Sequence, residues 1–117
     1  MLTSQEYNRI KTYSEFGSFY LLWGQCFPAS SEVSNYSYEE NKKIFFEVLN
    51  KLLKDGYLKL HKKGILLKGS IDEQIQKFYI AFPNTEEDME DGLWFYFDDC
   101  PAEPAWLKKW DNRVLLI

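Results

Sequence analysis

Ile44-Phe45-Phe46-Glu47-Val48-Leu49-Asn50-Lys51-Leu52-Leu53-Lys54-Asp55-Gly56-Tyr57-Leu58-Lys59-Leu60-His61-Lys62-Lys63-Gly64-Ile65-Leu66-Leu67 changes its hydrophobic period once, at Gly56. Before the glycine, Ile44, Phe45, Val48, Leu49, Leu52 and Leu53 make one apolar stripe of a 3.6-residue repeat, so this is an amphipathic helix. After it the period is two: Leu58 and Leu60 alternate with Lys59 and His61, and Lys63-Gly64 turns the chain into Ile65-Leu66-Leu67. That pattern is a hairpin. A helix leading into antiparallel strands puts the chain in the α+β class.

Working outward, Ser37-x-x-Glu40 has the form of a capping box at the helix start, and Gly56 takes the left-handed position just past its end. The polar face carries Lys42, Lys43, Glu47, Lys51 and Lys54. Thr3-x-x-Glu6 and Ser70-x-x-Glu73 repeat the capping-box signal. The second of these begins a short helix in which Ile71, Ile75, Phe78, Tyr79 and Phe82 share a face until Pro83 ends it. Between the first box and Ser37, Phe16, Phe19, Tyr20, Trp23 and Phe27 recur at helical spacing. Gly17 and Gly24 leave one helix or two open, and Pro28 with Ser30-Ser31-Glu32 closes the region.

Downstream, Leu93-Trp94-Phe95-Tyr96-Phe97 reads as a strand, buried on both sides or with one wet tyrosine. Pro101 and Pro104 predict a turn or irregular crossing, Ala105 to Trp110 fits strand or helix, and Arg113 to Ile117 a terminal strand. The expected fold is therefore two N-terminal helices, a β-hairpin, a short third helix and C-terminal aromatic strands, with a small, mainly antiparallel sheet packed on the helices. Residues 1–117 read as a single domain, since no Pro/Gly/Ser-rich linker divides them.

With 45% hydrophobic and 18% aromatic residues the chain has ample core material, which argues against disorder. The start, Met1 to Glu6, has no basic and apolar leader, and no apolar run is long enough to span a membrane, so a cytoplasmic location is expected. Cys26 and Cys100 are too few and too far apart for a disulfide framework and are expected as free thiols. The single histidine, His61, sits in a Leu-Lys-Leu-His-Lys-Lys strand and reads as a surface or rim residue. No metal-ligand spacing is present, and no cofactor motif. An enzyme would have to build its pocket from Asp98, Asp99, Cys100 and His61.

Charge is distributed unevenly. Residues 84–104 hold eight of the 18 acids and none of the 14 bases. The formal net charge of −4 opposes nucleic-acid binding, and the eight lysines from Lys42 to Lys68 read as solubilising. Carboxylates beside Trp94, Tyr96, Trp106 and Trp110 have the composition of a surface aimed at a basic protein partner. Each tryptophan taken alone reads as core.

Leu52 to Leu60, Gly69-Ser70-Ile71-Asp72-Glu73-Gln74-Ile75, Ala81-Phe82-Pro83, Leu93-Trp94-Phe95, Cys100-Pro101 and Trp106 together resemble a family of small bacterial proteins of unassigned function. The likeness extends over about residues 45 to 107, and its members look like immunity proteins encoded beside polymorphic toxins, including contact-dependent growth inhibition systems. The resemblance implies a non-enzymatic protein that binds a cognate toxin domain encoded upstream, expected to be a basic nuclease. The expected toxin-binding residues are Glu86, Glu87, Asp88, Glu90, Asp91, Trp94, Asp98, Asp99, Glu103 and Trp106.

Overall fold

The computed structural model describes residues 2–26, 37–108 and 113–116. Phe27, Pro28, the Ser30-Ser31-Glu32 run and Trp110 lie outside the described residues.

Helix α1 spans Ser4–Ser14 under the complete Thr3/Glu6 capping box. It ends because Phe16 takes a left-handed φ of 64° and the Gly17 amide bonds back to the Ser14 carbonyl at 2.9 Å. A Cβ at Gly17 would lie 2.5 Å from the Leu21 side chain and 3.1 Å from the Ser14 carbonyl, so glycine lets this turn close without moving either. The N-terminal aromatic region is thus two helices, and Phe16 lies outside both. Helix α2, Phe19–Gln25, starts afresh under a Ser18 cap.

Helix α3, Tyr38–Lys54, is capped by Ser37 and stopped by Asp55 and Gly56, the latter at φ 79°. Its stripe of Phe45, Val48, Leu49 and Leu52 is fully buried. Asn41, also buried, donates to the carbonyls of Cys26 (2.7 Å) and Trp23 (3.4 Å), satisfying the open end of α2. Lys42 departs from the expected solvated face: it is 5% exposed, with its Nζ 4.3 Å from the Tyr79 ring centre and 5.4 Å from that of Phe82.

Strands β1 (Leu58–Lys62) and β2 (Ile65–Leu66) form the hairpin. Lys63 and Gly64 both have positive φ, 52° and 85°, the twist a two-residue hairpin turn needs. Strands β3 (Glu103–Lys108) and β4 (Arg113–Leu116) complete an antiparallel sheet in the order β2-β1-β3-β4. Pro104, expected in an irregular crossing, lies inside β3 opposite Leu60. The ladder permits it: the Leu107 amide bonds Tyr57, so residues 57, 59 and 61 carry the β1–β3 bonds and Pro104 stands at a position that needs no N–H.

Helix α4, Ile71–Ala81, has the full Ser70/Glu73 capping box. Of its expected apolar face Phe78 is buried and Tyr79 is exposed, while Phe82 is buried as the C-cap. Helix α5, Glu86–Met89, follows under a Thr85 cap. The expected strand over Leu93–Phe97 is absent. The chain instead forms a 3-10 segment, Glu90–Tyr96, broken at Asp91 and Gly92. Glu90, Asp91 and Gly92 all have positive φ (52°, 55° and 95°), and three left-handed residues in a row leave no extended entry to a strand. The core is aromatic: Phe19, Trp23, Phe78, Phe82 and Phe95 surround Phe45 at centroid distances of 5.5 to 6.0 Å. Leu58, Leu60 and Trp106 supply the fully buried face of the sheet.

Candidate functional site

The left-handed run after α5 arranges the acidic segment. Met89 is buried and plugs the core, while Glu86, Glu87, Asp88, Glu90 and Asp91 are exposed. Three carboxylates in the first turn of α5 lie beside its free amides, and the Asp88 amide is taken by the Thr85 hydroxyl at 3.1 Å. Gly92 is buried against α2: a Cβ there would sit 2.8 Å from the Tyr20 ring. The 3-10 path then sends Trp94 and Phe95 inward and Leu93 and Tyr96 outward. Asp98 and Asp99 lie exposed in the next turn, closed by the Cys100 amide on the Phe97 carbonyl (3.1 Å).

The expected aromatic anchors are placed elsewhere. Trp94 is 5% exposed and packed on Phe82, with centroids 5.2 Å apart. Trp106 is 1% exposed, and its indole donates to the Gly17 carbonyl at 2.8 Å. Both are core residues, so neither offers area to a partner. The exposed aromatic surface is instead Tyr20 with Tyr96, whose rings lie 6.2 Å apart, together with Leu93 and Phe97. The Tyr96 hydroxyl reaches Ser18 Oγ at 3.4 Å. Tyr20 was missed because its spacing groups it with Phe19 and Trp23. Its position one residue beyond Phe19 on the helix, and so turned about 100° from the buried face, is the signal that separates it.

Glu103 does not join the acidic face. It is on β3, accepting the Lys63 amide at 2.8 Å and lying 3.9 Å from His61 Nδ1, where it braces the hairpin turn. His61, expected at the rim, is buried; its Nδ1 accepts the Gly64 amide at 3.0 Å and its Nε2 has no partner. Burial pushes the Cys100 thiol up to about 11, and its Sγ donates to the Ala102 carbonyl at 3.2 Å. Burial also raises the Cys26 thiol well above its usual range. Both are free, buried cysteines held as thiols rather than nucleophilic thiolates. Asp98 and Asp99 are exposed, while Cys100 and His61 are buried. Among the described residues no group of three His, Cys, Asp or Glu is placed to hold a metal ion, and no helix is long and apolar enough to cross a membrane.

Comparison with known proteins agrees with this description at the level of fold. An uncharacterized protein conserved in bacteria, from Neisseria meningitidis, has a similar structure: TM-score 0.72 and 24% identity, over 94% of this chain and 88% of that one. No curated protein matches the chain. Residues 53–114 match the model of a family described as a protein of unknown function, DUF596. The matched stretch runs from the end of α3 into the start of β4 and includes the hairpin, α4 and the whole acidic segment. The chain belongs to the DUF596 family.

Proposed function

We propose that this protein is a cytoplasmic immunity protein that binds and neutralises a basic toxin domain, a nuclease by preference, encoded upstream of it. The reading rests on the exposed Tyr20–Tyr96 pair, of which Tyr96 is flanked in the chain by the exposed carboxylates of residues 86–91 and by Asp98 and Asp99. Half-exposed tyrosines on a braced backbone give contact area at small entropic cost, and carboxylates of one sign steer and orient a cationic partner. A nuclease carries positive charge for its phosphate substrate, which an acidic face occludes. Trp94 and Trp106 act from beneath, by holding the 3-10 segment and the sheet that carry this face.

The test is co-purification with the product of the gene immediately upstream, with protection of cells expressing that product. Binding is then measured for a variant with Glu86, Glu87, Asp88, Glu90 and Asp91 changed to their amides. The expected result is a stable complex, protection, and a variant with weaker affinity and a flattened salt dependence. A harmless, non-binding neighbour removes the toxin reading. Unchanged affinity of the variant at low and high salt removes this face from the interface.

A further inference from the structure

The hairpin tip and the turn that follows the 3-10 segment are tied together. Lys62 Nζ donates to the Cys100 carbonyl at 2.6 Å, and the Lys63 amide donates to the Glu103 carboxylate at 2.8 Å. The Cys100 amide closes on the Phe97 carbonyl at 3.1 Å, with Asp98 and Asp99 at the corner of that turn. Ile65 stands opposite Lys62 in the β1–β2 pair, so its side chain lies on the face from which Lys62 reaches the turn. Two patches of opposite charge therefore adjoin, Lys62 and Lys63 on the hairpin and Asp98 and Asp99 on the turn.

Each patch carries an exposed apolar residue, Ile65 at 72% exposure beside the lysines and Phe97 at 39% beside the aspartates. Lys63, Asp98 and Asp99 are exposed, and among the described residues none of the three is in an ion pair. Glu103, the third carboxylate here, is engaged by the Lys63 amide and lies 3.9 Å from His61 Nδ1. A partner of a single sign, whether a polyanion, an anionic membrane or a basic protein, meets like charge on half of this strip. A second copy of the chain presents both signs in the same order. Turned about a two-fold axis, it sets lysines on aspartates twice, and the contact closes on itself because the two patches adjoin.

We propose that this strip is the contact of a two-fold homodimer. Lys63 of each copy faces Asp98 and Asp99 of the other, and Ile65 packs on the other copy's Phe97. The bonds that tie hairpin to turn hold the strip in shape before association, so little ordering is required. Exposed ion pairs are individually weak, but the axis makes each occur twice, and the apolar contacts beside them exclude water. The dimer shares Asp98 and Asp99 with the surface proposed to face a toxin, yet it does not depend on that reading, since it involves this chain alone.

Analytical ultracentrifugation of the full chain, from about 5 μM to about 0.5 mM, spans the affinities of a modest interface and is the test. The expected result is a passage from monomer to a discrete dimer, weakened several-fold by about 0.5 M salt. Lys63→Glu, and separately Asp98→Lys with Asp99→Lys, are each expected to weaken the dimer at least about tenfold, since each replaces two attractive contacts by two repulsive ones. An equal mixture of the two variants is expected to form a heterodimer: the reversed hairpin of one meets the reversed turn of the other, and the remaining contact keeps its original signs. All three positions are exposed, and melting temperatures close to that of the unaltered chain check that the variants fold. Ile65→Ser, at the most exposed apolar residue of the strip, is expected to weaken the dimer several-fold without changing its salt dependence, and so tests the contact without any charge reversal. A chain that stays monomeric throughout the range overturns the proposal, as does a dimer that all the variants leave intact. So do a variant mixture that stays monomeric and an open series of growing species, the mark of a head-to-tail contact.

Discussion

Trp106, in the middle of the sheet, donates its indole Nε1–H to the carbonyl of Gly17, in the break between the first two helices, at 2.8 Å. The bond ties the one turn that splits the N-terminal region to the strand that completes the sheet, and Phe16 packs on the same indole with centroids 6.2 Å apart.

Trp106→Phe removes that donor, leaves the Gly17 carbonyl without it and opens space in the core. A loss of about 2–4 kcal/mol is expected, from the orphaned acceptor plus the cavity. Urea unfolding measures it, and an unchanged midpoint would show that the carbonyl finds another donor at no cost.

Gly92→Ala meets two penalties, a φ of 95° and a Cβ 2.8 Å from the Tyr20 ring. The expected cost is about 2–3 kcal/mol, against about 1 kcal/mol for Gly64→Ala, where φ is also positive and the space is open. In a Tyr20→Ala background the cost of Gly92→Ala should fall by about 1 kcal/mol; additive costs would mean that the ring simply moves aside.

Tyr96 and Trp94 are two residues apart and should behave oppositely. Tyr96, 65% exposed, is expected to cost under about 1 kcal/mol of stability as Ala and to weaken partner binding about tenfold or more. Trp94→Ala should cost about 3–5 kcal/mol. Thermal unfolding with a pull-down on the same two variants separates the roles, and a Tyr96→Ala protein that binds normally would take the tyrosine pair out of the interface.

The buried thiols give stability a pH dependence on the alkaline side. Cys100 ionises at about 11 in the fold against 9.0 for an ordinary thiol, because burial disfavours the thiolate. Its contribution is complete below pH 9 and is lost as the pH rises to 11, since there the unfolded chain has already released the proton that the fold retains. The drop is on the order of 2 kcal/mol, and Cys100→Ala should flatten it by that amount. Chemical unfolding at pH 8, 9, 10 and 11 on both proteins reads the difference directly; parallel curves would mean that Cys100 ionises freely in the fold.

Local signals were legible wherever one residue decides the backbone. The Thr3 and Ser70 capping boxes, the Ser37 cap, the Gly56 stop and the Lys63-Gly64 turn all stand where their chemistry places them. Leu93 to Phe97 was misread because five apolar residues fit a strand and a tight helical turn equally, and the left-handed run before them is announced only by Gly92. Pro104 looked like a strand breaker because its tolerance depends on which side of β3 its nitrogen faces, a property of register. At the candidate site the exposed carboxylates followed from the charge run, and Trp94 and Trp106 are buried as each reads when taken alone, not as the anchors their acidic neighbours suggested, whereas the burial of His61 is decided by what packs over it. No local pattern carries that.

The central ladder joins Leu58 to Trp106, so β1 acquires its inner neighbour only from the far end of the chain. A nascent chain that has emerged through Pro101 can close its hairpin and its capped helices, but the inner edge of β1 is bare and Leu58 and Leu60 lack the strand that flanks them. The sheet is therefore completed after nearly all of the domain has left the ribosome. Until then the chain presents a sticky strand edge, and its safety in a crowded cell depends on how soon β3 arrives.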